Sequence, residues 1–143
     1  MKLNRHEIRT CLFLLLYQKD FYPDERYEEQ QDIFLDEEKK EEELEDYDRL
    51  YIESEMARII PLLPEIDGKI EAASKSWKLN RIAKAELAIL RLGVYEIIYA
   101  DDAEVPVKVA IDEAVELARE YGQEKGYAFV NGVLDTISST GDK

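Results

Sequence analysis

The sequence holds one cysteine, Cys11, and one histidine, His6, in 143 residues. A lone cysteine forms no internal disulfide, and this composition builds neither a cysteine-based zinc site nor a histidine-cluster metal site. Glycine and proline are scarce, at 6 and 4 residues. There is no glycine-rich phosphate loop and no G-x-S-x-G nucleophile elbow. The apolar run from Cys11 to Tyr17 is far too short to span a bilayer, and it lacks the small-residue cleavage region of a signal peptide. Period-two alternation, the mark of a half-buried strand, is hard to find. These absences exclude a disulfide scaffold and argue against a metalloenzyme and a membrane protein. A reduced, cytoplasmic, soluble protein is the expectation.

What the chain does have is acid. It carries 33 Asp+Glu against 19 Lys+Arg, a formal net charge of −14. Apolar residues make up 45%, enough for a packed core. The acidity is concentrated: residues 24–48 hold 14 acidic residues and three basic ones, Arg26, Lys39 and Lys40. The remainder is close to neutral, so a local basic patch is possible there. The acidic stretch reads as a solvated helix or loop, or as a docking surface for a basic partner. In either case the net charge opposes non-specific attraction to nucleic acid.

Helical spacing recurs along the chain. Asn4, with Glu7 three residues on, has the form of a capping box for a first helix, and Ile8, Leu12, Leu15 and Leu16 trace its apolar face. An acidic helix is expected near residues 25–35, and another from about 45 to 60. Pro61 and Pro64 break the pattern, with Pro64 in the first turn of a short helix through Ile66, Ile70 and Ala73. Residues 74–78 read as a connector holding Trp77, and 101–104 as an acidic loop. Asn80 is expected to cap a helix from Arg81 to about Ala100 that is apolar almost all round, hence central. Pro106 and Gly122 bound the next helix, and a last one runs from about Tyr127 to Ser138. Gly132 within it suggests a close approach by another backbone. The expected architecture is all-α, about seven helices in two small packed bundles: residues 1–60, containing the acidic segment, and residues 61–143.

Candidate chemistry is sparse. Asp112 and Glu116 share a helix face, as solvated carboxylates do. Cys11 and His6 lie five residues apart, so on a helix they diverge by about 140°. Cys11 is therefore expected in the core. Glu86, Arg91 and Glu96 interrupt the apolar helix and read as internal ion pairs. No nucleophile–base pair and no cofactor site emerges, so no enzymatic activity is expected. The N-terminus says more. Lys2, Arg5, His6 and Arg9 place positive charge where the helix macrodipole disfavours it. Arg5 and Arg9 are one turn apart, so their side chains are expected to reach one object, such as successive phosphates of a single strand. Tyr127 and Phe129 offer stacking surface.

The stretches Trp77-Lys78-Leu79-Asn80-Arg81-Ile82, Ala88-Ile89-Leu90-Arg91-Leu92 with Tyr95-Glu96, Val109 to Ala118, and Phe129-Val130-Asn131-Gly132-Val133-Leu134-Asp135 resemble the NusB family of transcription antitermination factors in order and spacing. The resemblance implies an all-helical, non-catalytic protein. Its RNA partner would be boxA-type single-stranded RNA of ribosomal RNA leaders. It would bind that RNA jointly with NusE, a small-subunit ribosomal protein, and through the complex reach RNA polymerase. Carried over by position, the RNA side comprises Arg5, His6, Arg9, Tyr127, Phe129 and Asn131, and the NusE side Glu86, Val107 and Lys125. The family's basic run is denser, whereas this chain has Glu7-Ile8-Arg9-Thr10. The alternative is therefore an interaction adaptor with weak or lost RNA binding. The free protein is expected as a monomer or homodimer.

Overall fold

The computed structural model describes residues 3–22, 24–40, 46–74, 78–100 and 105–139. Lys2, Trp77 and the expected acidic loop at 101–104 lie outside them. Among the described residues all regular structure is helical: α1 (Arg5–Lys19), α2 (Asp24–Lys40), α3 (Asp46–Ile59), α4 (Leu63–Ser74), α5 (Lys84–Val94), α6 (Val107–Tyr121) and α7 (Gly126–Ser139). Short 3-10 turns occupy Ile60–Leu62 and Leu79–Arg81, and a π turn occupies Tyr95–Tyr99. The chain divides into two compact units, Met1–Ile60 and Pro61–Lys143.

In the first unit, α1 begins at the capping box. The Glu7 amide donates to Asn4 Oδ1 at 2.8 Å, and the Asn4 amide donates to Glu7 Oε1 at 2.9 Å. Both amides belong to the set that a helix start leaves without intrahelical acceptors. Phe13, Leu15 and Leu16 of α1 are fully buried, as are Leu35 of α2 and Ile52, Met56 and Ile59 of α3. The acidic helix runs to Lys40, beyond the expected 25–35. Two features hold its second half: Leu35 is in the core, and Arg49 of α3 reaches both Asp36 and Asp32. Hydrogen bonding to Asp36 raises the Arg49 pKa further above its ordinary value. Asp48 departs from the solvated reading of residues 24–48. It is 0% exposed, and its Oδ2 accepts the Leu3 amide at 3.0 Å. That bond ties the approach to α1 onto α3.

The second unit is built around α5, in which every residue from Glu86 to Val94 is buried. It packs against α4, α6 and α7, as a helix without a wet face must. Its start differs from expectation. Asn80 sits in the 3-10 turn, and Ile82 is buried in extended backbone (φ −78°, ψ 132°). Burying Ile82 in that conformation breaks the path, so α5 begins at Lys84 behind Ala83, with no side-chain cap. Arg91 forms a bidentate pair with Asp67 of α4 at 2.8 and 2.9 Å. Gly132 also differs: a Cβ there would meet nothing within 4 Å. Within α5, Gly93 is tightly packed instead, and there a Cβ would lie 2.9 Å from Cδ1 of the Leu134 side chain. Pro106 and Gly122 flank α6 as the sequence pattern suggests, with Gly122 donating to the Ala118 carbonyl.

Candidate nucleic-acid interface

The first turn of α1 presents Arg5 and His6 as exposed side chains. Arg9 is different, at 6% exposure. The reason is periodicity. Arg9, Leu12, Phe13 and Leu16 stand at i, i+3, i+4 and i+7, one stripe of the helix, and the three apolar members are buried. An arginine stem has enough methylene length to lie along such a stripe. Arg5 and Arg9 therefore do not offer two equally accessible guanidinium groups, contrary to the sequence reading. All three basic residues already interact within the protein. The Glu7 carboxylate is engaged by the Asn4 amide, and Thr10 donates to the His6 carbonyl at 3.0 Å.

In the second unit, the start of α7 is set by a buried carboxylate on α5. Glu86 is 3% exposed. Its Oε1 accepts the Gln123 amide at 2.7 Å, so the expected internal ion pair is replaced by a backbone hydrogen bond. The loop wraps this carboxylate closely. A Cβ at Gly122 would fall 2.8 Å from Glu86 Oε1, and one at Gly126 2.2 Å from it. Only glycine fits either place without displacing the carboxylate. Lys125 completes the turn with φ 68°, in the left-handed region that side chains disfavour. Glu86 Oε2 is buried with no hydrogen-bond donor among the described residues. A cleft of about 190 Å³ lies beside it, lined by Arg81, Ile82, Ala83, Gln123, Gly126 and Phe129.

The loop thus gathers Glu86, Lys125 and Phe129. Phe129 is half-buried and turned to the cleft, while Tyr127 and Asn131, one helical turn apart, are exposed on another face of α7. Val107 opens α6 and is half-buried. Tyr127 has a neighbour that sequence reasoning missed: the Arg119 guanidinium of α6 lies 4.7 Å from the centre of its ring. Arg119 also approaches Glu116 at 3.7 Å. A cation over an aromatic ring presents charge and a flat surface together. Nothing in the spacing of residues 119 and 127 marks that pair, because a loop of irregular backbone separates the two helices. Among the described residues no cluster of metal-ligating side chains occurs, and no helix is long and apolar enough to cross a membrane.

The model of the NusB family matches residues 6–139. The chain belongs to the NusB family. A curated relative, the transcription antitermination protein NusB of Agathobacter rectalis, is 42% identical over 132 residues, covering 92% of this chain and 97% of the relative. A solved structure of T. maritima NusB superposes with a TM-score of 0.84 at 34% identity, covering 97% of this chain and 93% of that one. A chain in a crystal structure of the antitermination factors NusB and NusE in complex with dsRNA gives a TM-score of 0.73 at 26% identity, with 95% of this chain and 96% of that one covered. NusB membership accounts for the all-helical architecture and places the chain among transcription antitermination factors.

Proposed function

We propose that the chain is a transcription antitermination factor that binds boxA-type single-stranded RNA of ribosomal RNA leaders jointly with NusE, and joins RNA polymerase through that complex. It acts without catalysis, in the cytoplasm, as two small bundles of about seven helices split near residue 60. Arg5 and His6 meet phosphates, and Tyr127, backed by Arg119, and Asn131 meet sugars and bases. Arg9 supports Arg5 and His6 from the buried side of α1. Phe129 shapes the Glu86 cleft and the adjoining start of α7. Glu86, Lys125 and Val107 form the NusE side, with the buried Glu86 Oε2 as an acceptor awaiting a donor. The observation that carries the reading is the pairing of an exposed cation with an exposed aromatic ring, Arg119 over Tyr127, in a NusB-family chain whose net charge is −14. A second reading, an adaptor with weak RNA binding, draws support from the burial of Arg9 and from Glu7 beside Arg5.

The test is titration of a boxA-type single strand and of a duplex of the same sequence, each with and without NusE. The joint surface should tighten single-strand binding by at least about tenfold when NusE is added. NusE binding without any RNA gain would select the adaptor.

A further inference from the structure

A second surface lies in the first unit, at the far end of α1 from Arg5. A groove of about 340 Å³ opens between the C-terminal end of α1 and α2, lined by Tyr17, Phe21, Tyr22, Ile33, Phe34 and Glu37 among others. On α2 the lining residues Gln30, Ile33, Phe34 and Glu37 stand at i, i+3, i+4 and i+7, a single stripe. Phe21 is 55% exposed and Ile33 47% exposed, an apolar cost that the folded chain leaves in water. The rings are nevertheless held in place. Phe13, in the core, lies 6.1 Å from Tyr17, and Tyr17 meets Phe21 edge-on at 5.1 Å.

Charge decides what this groove accepts. Between Glu25 and Glu37 the described side chains carry six carboxylates and one cation, Arg26. Arg49 pairs with two of the carboxylates, Asp32 and Asp36, and Glu29 and Glu37 are exposed beside the apolar stripe. Such a field repels nucleic acid, and it repels a second copy of a chain carrying −14. We propose that the groove is a docking site for a basic amphipathic segment of another protein. The segment's apolar side chains enter between Phe21 and Ile33, and its lysines or arginines meet Glu29 and Glu37. This is the helix-in-groove mode, in which apolar anchors give affinity and rim charges give orientation. The acidic segment thereby acquires a role of its own, separate from the RNA face at the other end of α1.

The experiment titrates the isotope-labelled full chain with a helical peptide of about 16 residues made of Lys and Leu, and with a Lys–Ser peptide of equal length and charge. Backbone shifts should concentrate at Tyr17–Tyr22 and Gln30–Glu37, and the Lys–Leu peptide should bind at least about tenfold more tightly than the Lys–Ser peptide. Phe21→Ser with Ile33→Ser should remove that difference while circular dichroism stays unchanged, because both side chains are largely exposed. Glu29→Lys with Glu37→Lys should weaken the Lys–Leu peptide through charge alone. Equal binding of the two peptides, or shifts spread over every acidic residue, would overturn the proposal. So would shifts in the groove on adding single-stranded RNA, or a dimer that the Phe21→Ser, Ile33→Ser variant dissociates.

Discussion

In α5 every residue from Glu86 to Val94 is buried, whereas in α2 the described side chains put only Tyr27 and Leu35 in the core. The two helices treat charge in opposite ways. Each charged residue inside α5 needs its own arrangement: Glu86 takes the Gln123 amide, and Arg91 takes both oxygens of Asp67. The described carboxylates of α2 are exposed, and Arg49 bridges two of them, Asp32 and Asp36. A buried charge therefore organises its surroundings, as Glu86 does for the loop that starts α7. An exposed one sets a field and selects partners. The two kinds should respond to mutation by different amounts.

The widest gap between the helices should appear in apolar truncation. Leu90→Ala, at a fully buried position, should cost about 2–5 kcal/mol of stability. Ile33→Ala should change it by less than about 0.5 kcal/mol. Denaturant unfolding of the full chain measures both, and similar losses would break the comparison. Next comes the pair of arginines. Arg91→Ala forfeits two half-buried charged hydrogen bonds and should cost about 1.5–3 kcal/mol. Arg49→Ala should cost about 0.2–1 kcal/mol, and that loss should shrink in high salt. The glycines should differ in sign. Gly126→Ala drives a methyl into Glu86 and should cost about 1–3 kcal/mol. Gly132→Ala, in open space on the same helix, should stabilise by about 0.5–1 kcal/mol. Finally, burial raises the Tyr27 pKa above the ordinary phenol value. Its folded state then holds a proton that the unfolded chain loses near pH ~10, so stability present below that pH falls as pH rises above it. Tyr27→Phe should flatten that alkaline loss.

Local signals read correctly where the physics was local. Asn4 and Glu7 needed only three residues of spacing to declare a cap, and Pro106 and Gly122 bracketed α6 by their own backbone limits. The buried character of α5 was plain because no wet face could be drawn on it. Readings failed where a distant group decided the matter. Asn80 had the side chain for a cap, but burial of Ile82 pulled the chain extended and moved the helix start. Gly132 suggests a close backbone approach that is absent there, and the tight place at Gly93 is made by the Leu134 side chain, which only the packed arrangement shows. The charge of Arg9 suggests a surface cation, yet its stripe with Leu12, Phe13 and Leu16 places it against the core. The contacts of Asp48 and Arg119 leave no mark in the spacing, since their partners, Leu3 and Tyr127, lie on other segments.

The most direct measurement is the affinity for a boxA-type single strand in the presence of NusE, taken across a salt series for the native chain, Arg5→Ala and Tyr127→Ala. Arg5→Ala should weaken binding and flatten the salt slope by roughly 0.7 for one lost phosphate contact on a single strand. Tyr127→Ala should weaken binding by about 1–3 kcal/mol with the slope unchanged, the mark of a lost stacking surface. Native affinity and native slope in both variants would contradict the proposed RNA contacts of Arg5 and Tyr127.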